Sequence, residues 1–128
     1  MFSKTSPSNQ GMSVGFEEES NGNLSMSAAT QGGGNIDWAS EKYNMGSASS
    51  YTGTYFHAVW TYDGSVLKYY INGSLVRTSS SGKNFHSNTA PLRLFSLDPS
   101  NGSYIFAIDG KFRVARMYSS ALSASDVT

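Results

Sequence analysis

The chain has 128 residues, close to the usual size of one domain and enough to bury a core without metal ions or disulfides. Its nine lysine and arginine residues balance nine aspartate and glutamate residues, so it lacks the positive surplus that binds phosphate backbones, and we expect no nucleic-acid partner. It has no cysteine, which excludes disulfides and thiolate metal sites but leaves the redox compartment undetermined.

Apolar residues nowhere run long enough to span a bilayer, so we expect no membrane insertion. Residues 1–10 are polar and lack the apolar stretch of a signal peptide. If the parent protein is exported, we expect its targeting signal to lie outside the sequence given.

Asn-Gly and Asp-Gly dipeptides are the strongest local signal, because they accept the positive φ that tight hairpin turns require. Five are present, at positions 21–22, 63–64, 72–73, 101–102 and 109–110. Alternating apolar residues predict one half-buried strand before the first of these turns and another after it: Met12, Val14 and Phe16, then Leu24, Met26 and Ala28.

Residues 30–54 break this pattern with three consecutive glycines and many serines, and they predict a long irregular excursion with one or two short strands. The next block is regular. Strands over residues 55–62, 66–71 and 75–78, joined by Asp63-Gly64 and Asn72-Gly73, predict a three-stranded meander with Trp60 and Tyr69 in the core.

After a polar connection at residues 79–90, further strands are predicted over residues 92–97, 104–108 and 112–118. Ser123 and Asp126 have the spacing of a capping box and predict a short helical turn. The whole chain, residues 1–128, is therefore predicted to be a single all-β domain, a sandwich of short antiparallel strands.

Two stretches carry a family resemblance. Residues 55–64 read YFHAVWTYDG and residues 67–76 read LKYYINGSLV. They resemble the W-H-V-A-x-T-Y-D-G and L-x-L-Y-x-N-G-x-x-V runs of the laminin-G-like and pentraxin-like branch of the concanavalin A-like superfamily. Residues 110–123 look like the closing strand and R-x-Y-x-x-A-L-S tail of that branch. The resemblance covers roughly residues 2–127 and implies a concanavalin A-like jelly roll.

The chain departs from the family pattern in three places. It begins near a strand that follows the family's usual first one or two, so the sandwich is expected to be incomplete or pared down at its N-terminus. The acidic residue common in the closing strand is missing. The Glu-x-Asp-x-Glu strand motif of the superfamily's glucanases is absent, so we expect no enzyme activity, and no catalytic residue is assigned.

The only carboxylate cluster is formed by Glu17, Glu18 and Glu19. Glu17 and Glu19 share a strand face, as a glycosidase pair would need, but they adjoin a hairpin turn where charges are normally solvated. Of the two histidines, His57 matches a packing residue of the resembling family, and neither His57 nor His86 has the neighbours of a zinc site.

The excursion at residues 30–54 combines aromatic rings, which pack on sugar faces, with side chains that hydrogen-bond sugar hydroxyls. We therefore take as candidate ligand-binding residues Asn35, Asp37, Trp38, Tyr43 and Tyr51. The alternative is that Trp38 and Tyr43 cap the core of an irregular strand pair.

Calcium is the one cofactor that the resemblance suggests, because pentraxin-like and laminin-G-like relatives often hold it at a loop edge. Asp37, Asp98 and Asn101 are candidate ligands, and Asn35 could add an oxygen. None lies in a recognised calcium loop, and turn formation explains these residues equally well.

The function expected from these observations is a non-catalytic, carbohydrate-binding module of a secreted or cell-surface protein. Its partner would be a glycan or an extracellular protein, so the main alternative is an adhesion or spacer module that binds protein. A glycoside hydrolase is a third reading that the missing motif disfavours. An open sheet edge invites pairing, so a homodimer is also predicted.

Overall fold

The structure is a computed structural model that describes residues 2–5, 11–30, 41–79, 93–94 and 111–127. Every described strand is antiparallel to its neighbours, and the strands form two sheets. The strands are β1 (Phe2–Thr5), β2 (Gly11–Glu18), β3 (Asn23–Thr30), β4 (Lys42–Ser47), β5 (Ala58–Tyr62), β6 (Leu67–Ile71), β7 (Ser74–Ser79) and β8 (Arg93–Leu94).

The first sheet has five strands in the order β4-β3-β2-β1-β8, and the second has three in the order β5-β6-β7. Short 3₁₀ helices occupy Ala48–Tyr51 and Ala124–Asp126. Neither of these helices, the two that the described ranges contain, has the length and apolarity needed to cross a membrane.

Alternation along β2 and β3 determines which side chains the five-stranded sheet buries in the core. The two strands pair with Val14 opposite Ala28 and Phe16 opposite Met26, so these four side chains share one face. Val14, Met26 and Ala28 are buried there. The hairpin between the strands turns at Asn21-Gly22, where the amide of Glu19 donates to the carbonyl of Asn23 over 2.8 Å.

The three-stranded sheet is the predicted meander. Trp60 lies opposite Tyr69 in the register of β5 and β6, and Asn72-Gly73 links β6 to β7. Both turn residues have positive φ, 50° for Asn72 and 80° for Gly73, as a two-residue type I′ turn requires. Asparagine and glycine are the residues that adopt this conformation at least cost.

The core lies between the two sheets and draws buried side chains from both. Val14, Met26 and Ala28 from the first sheet meet Leu67 and Tyr69 from the second. Phe16 extends the contact, because its ring lies edge-on to Trp60 with ring centroids 5.4 Å apart. Trp60 packs against this cluster, and Tyr69 is fully buried. The structure thus confirms the predicted antiparallel β-sandwich.

Several local predictions are also confirmed. Hairpins form at the first three Asn-Gly or Asp-Gly positions, and Ser123 and Asp126 form the capping box of the last 3₁₀ helix. Residues 30–54 were predicted to form an irregular excursion with one or two short strands, and strand β4 and the 3₁₀ helix that follows it are the regular elements found there. The turns at residues 101–102 and 109–110 and the strand at residues 104–108 lie outside the described residues.

The strand predicted over residues 112–118 is wrong. This segment forms neither strand nor helix, and its side chains are exposed. Alternating apolar residues form a strand only where a neighbour supplies backbone hydrogen bonds and a core receives one face. No strand in the described part of the chain pairs with this segment. Homodimerisation through an open sheet edge stays a prediction.

Candidate ligand-binding surface

Three aromatic side chains stand out among the described residues because nearly half or more of their surface is exposed. They are Tyr55 at 62%, Tyr118 at 54% and Phe112 at 45%. Large apolar side chains in exposed groups are typical of binding surfaces. Tyr55 is the best supported of the three, because hydrogen bonds and ring contacts hold the residues on either side of it.

The ring of Phe56 explains why Tyr55 faces outward. It lies 5.3 Å from the ring of Phe16 and 5.1 Å from that of Tyr51, edge-on in both cases. Both distances are in the favourable range for aromatic pairs. With Phe56 held on the inner side, the alternation of the backbone directs its neighbours Tyr55 and His57 toward solvent, and both are exposed.

Hydrogen bonds to backbone groups hold the segment on both sides of Tyr55. On one side, the amide of His57 donates to Oδ1 of Asn72 over 2.9 Å, and the amide of Asn72 donates to the carbonyl of His57 over 2.8 Å. On the other, the hydroxyl of Thr54 donates to the carbonyl of Tyr51 over 3.1 Å. Tyr55 is therefore presented by an ordered frame, which limits the entropy that ligand binding would cost.

The guanidinium of Arg113 lies over the ring of Tyr55, with its central carbon 5.5 Å from the ring centroid. This is a cation–π contact, worth about 0.5–1 kcal/mol at an exposed site. We call Tyr55, His57 and Arg113 the Tyr55 surface. It combines an aromatic face with planar hydrogen-bond donors, and such a pair can pack on a sugar ring and bind its oxygen atoms.

The Tyr55 surface lies at one end of the outer face of the three-stranded sheet. Further along that face Thr61 and Tyr70 are buried, so the face is covered there. Leu75, opposite Tyr70 on β7, is 53% exposed. A ligand therefore has access to the Tyr55 end of the face.

The residues predicted from sequence to bind ligand lie elsewhere or outside the described ranges. Tyr43 is half-buried on β4 and packs against the core, as the capping alternative predicts. Tyr51 is also half-buried, and its hydroxyl donates to the carbonyl of Met45 over 3.0 Å. Asn35, Asp37 and Trp38 lie outside the described residues. A role for any of the five in ligand binding stays a prediction.

The carboxylate cluster forms a polar network on the five-stranded sheet. Oε2 of Glu17 lies 2.7 Å from Nζ of Lys42, and Oε1 of Glu19 lies 3.9 Å from the same atom. The hydroxyl of Ser25 donates to Glu19 over 2.8 Å. Glu17 and Glu19 are thus brought together as the strand alternation predicted, with a lysine between them.

The described residues contain no group of three histidine, cysteine or acidic side chains that could hold a metal ion. Of the calcium candidates, Asp37, Asp98 and Asn101 all lie outside the described ranges, as does His86, so calcium binding stays a prediction. The prediction for His57 is wrong, because its side chain is exposed rather than packed. Phe56, one residue earlier, makes the packing contacts instead.

Sequence alternation could have pointed to Tyr55, since it places Tyr55 and His57 on the face opposite Phe56 and Trp60. Arg113 could not have been found in this way. It is 58 positions away in the chain (113 minus 55), and the structure alone brings it to the ring.

The described part of the chain is thus an antiparallel β-sandwich with an exposed aromatic side chain, Tyr55, at one end of its three-stranded sheet. The Laminin_G_3 family model, described as the concanavalin A-like lectin/glucanases superfamily, matches residues 1–128. The chain therefore belongs to this superfamily, as the resemblance of its central strands predicted.

Among solved structures, the chain is similar to an S-layer domain-containing protein (residues 221–444) from Clostridium thermocellum. The two are 19% identical, with a TM-score of 0.41. The match covers 96% of this chain and 58% of that one, so the chain spans little more than half of the structure that it matches. No curated protein matches the chain.

Proposed function

We propose that the chain is a non-catalytic module of a secreted or cell-surface protein and that it binds carbohydrate at the Tyr55 surface. The observation that carries the proposal is the exposed ring of Tyr55, fixed by its neighbours and lying beneath a guanidinium group. Aromatic stacking with a few well-placed polar groups is the usual chemistry of such sites.

The superfamily contains both lectins and glucanases, so membership alone does not decide between binding and hydrolysis. Hydrolysis needs two carboxylates that face each other across a bound sugar. Glu17 and Glu19 instead share a contact with Lys42, and Ser25 engages Glu19. None of these contacts involves the Tyr55 surface. This arrangement supports binding without catalysis.

A glycan array, followed by calorimetry with the best ligand, tests the proposal. We expect Tyr55→Ala to weaken binding by at least about tenfold, since stacking and the cation–π contact are both lost. Tyr55→Phe keeps the ring and is expected to keep most of the affinity. Leu75→Ala removes an exposed apolar side chain from the same sheet face and serves as the matched control.

Two results would count against glycan binding at this surface. One is the absence of binding to plant, host and microbial glycans by a folded chain. The other is binding that Tyr55→Ala and Leu75→Ala reduce equally, because a loss of that kind reports general surface hydrophobicity rather than a stacked ring.

A protein-binding adhesion module is the second candidate function. It is favoured by the exposed apolar side chains of Val114 and Met117, which are 64% and 54% exposed and are not needed to stack a sugar. Recovery of a defined protein partner, with binding that competing sugars leave unchanged and that Val114→Ser abolishes, would support this candidate.

A further inference from the structure

The segment that places Arg113 over Tyr55 is strongly basic. Between residues 111 and 118 it carries Lys111, Arg113 and Arg116 and no acidic residue. All three side chains are exposed. None of the three is within ion-pair distance of a carboxylate among the described residues. We call residues 111–118 the basic segment.

Ion pairs and hydrogen bonds engage the described carboxylates elsewhere than with this segment. Glu17, Glu18 and Glu19 are at the end of β2, and Glu41 adjoins β4, so these four belong to the five-stranded sheet. Asp63 follows β5 at the end of the strand furthest from Tyr55. It lies about 16 Å from Ala58, the length of five residues of extended chain. Asp126 accepts hydrogen bonds within its own capping box. Although the chain has no net charge, the three exposed cations of the basic segment make no ion pair with a carboxylate among the described residues, which leaves positive charge beside Tyr55.

We propose that the ligand of the Tyr55 surface is an acidic polysaccharide. The ring of Tyr55 stacks on a sugar face, Arg113 binds an anionic substituent beside it, and Lys111 and Arg116 contact further anionic groups along the polymer. Guanidinium forks suit carboxylate and sulfate oxygens alike. This inference rests on the proposed carbohydrate function and adds the charge class of the glycan.

Charge density distinguishes this ligand from a nucleic acid, the other polyanion that stacks on aromatic rings. Duplex DNA carries about one charge per 1.7 Å, and binding it draws on many cations at once. The chain has three cations in the basic segment and balanced charge overall. An acidic polysaccharide, whose sugars space the anionic groups further apart, fits that number better.

Paired polymers with the same backbone test the inference directly. Polygalacturonate is compared with its fully methyl-esterified form, and dextran sulfate with dextran, by calorimetry on the intact chain. We expect the acidic member of at least one pair to bind at least about tenfold more tightly than its neutral partner. Raising the salt from about 0.1 M to about 1 M shortens the screening length from about 10 Å to about 3 Å, so this preference should largely disappear.

Variants that remove charge show whether the basic segment binds the polymer locally or acts only through the net charge of the chain. The double variant Lys111→Gln and Arg116→Gln is expected to lower affinity for the acidic polymer at least about tenfold while leaving the neutral partner unaffected. Lys42→Gln combined with Lys68→Gln removes the same charge from strands β4 and β6 and is the matched control. It is expected to change affinity less than about threefold, because both lysines are only partly exposed and Lys42 is already paired with Glu17 and Glu19.

Each outcome decides a different point. If neutral and acidic partners bind equally and only Tyr55→Ala weakens them, the inference is overturned and the carbohydrate function stands. If no polymer of either kind binds, the inference is overturned, and the glycan array alone decides the carbohydrate function. If single-stranded oligothymidylate binds more tightly than every acidic polysaccharide, the surface serves nucleic acid. A control variant as damaging as the Lys111 and Arg116 variant would show that only net charge matters, which also overturns the inference.

Discussion

The hydroxyl of Tyr69 donates a hydrogen bond to the backbone carbonyl of Glu41 over 2.6 Å, and both residues are buried. Tyr69 lies on β6 and Glu41 directly precedes β4, so this bond joins the two sheets. A second bond runs parallel to it, from Nη1 of Arg77 on β7 to the carbonyl of Lys42 over 2.8 Å. The sandwich is therefore held by directional bonds at this edge in addition to its apolar core.

Replacement of Tyr69 by phenylalanine removes the inter-sheet bond and keeps the ring. We expect Tyr69→Phe to lower the free energy of unfolding by about 1–2 kcal/mol, as for loss of one buried hydrogen bond. Urea unfolding measures it. Tyr51→Phe, which removes a half-buried hydroxyl bonded to Met45, is the comparison and should cost less. Equal stability of Tyr69→Phe and the unmodified chain would mean that the bond contributes nothing.

The same hydroxyl makes stability depend on alkaline pH. Burial, and then the charge of Glu41, raises the pKa of Tyr69 above its ordinary value. A raised folded-state pKa gives a stabilisation that is complete below the unfolded pKa of about 10 and is lost as pH rises above it. We expect the free energy of unfolding to fall above about pH 10, and less steeply in Tyr69→Phe. The slope will not vanish in the variant, because burial also raises the pKa of Tyr62.

Asp63 gives the opposite pH dependence. The amides of Val66 and Ser65 donate to its Oδ1 over 2.7 and 2.9 Å, and these bonds lower the pKa of the carboxyl. Its contribution is present above the unfolded pKa of about 4 and is lost as pH falls through the lower folded value. We expect an NMR titration of Asp63 to give a pKa below that of a model peptide. Asp63→Asn, which keeps an acceptor oxygen without the charge, should remove that part of the acid dependence.

The sequence predicted the sandwich well, because alternation and the three described Asn-Gly and Asp-Gly turns are local signals. It placed Trp60 and Tyr69 in the core correctly. The ligand-binding surface was harder to predict. Tyr43 and Tyr51 lie in a polar, glycine-rich stretch, so the sequence predicted that their rings were exposed to ligand. In the structure, strand β4 and the 3₁₀ helix after it leave both side chains half-buried, and Tyr43 packs against the core. No strand in the described part of the chain pairs with residues 112–118, and strand pairing is a tertiary property that alternation does not encode.

Asn72 is a positioning residue for Tyr55, since its side chain fixes the amide of His57. Asn72→Gly keeps the positive φ of the turn but loses this bond, whereas Asn72→Ala also strains the backbone by about 1 kcal/mol or more. We expect Asn72→Gly to weaken ligand binding about two- to fivefold with little loss of stability, and Asn72→Ala to lose stability as well. Calorimetry and thermal unfolding separate the two effects. Unchanged affinity in both variants would show that the frame around Tyr55 does not matter for binding.

Chemical-shift mapping with the best-binding glycan tests the location of the ligand most directly. Backbone amide spectra of the labelled chain are recorded during titration, and the largest shifts are compared between two regions. We predict that they fall on residues 54–57 and 111–118, around the Tyr55 surface. Shifts confined to residues 41–51, with the amides of Tyr55 and Arg113 unmoved, would contradict this account and return the site to the stretch around Tyr43 and Tyr51.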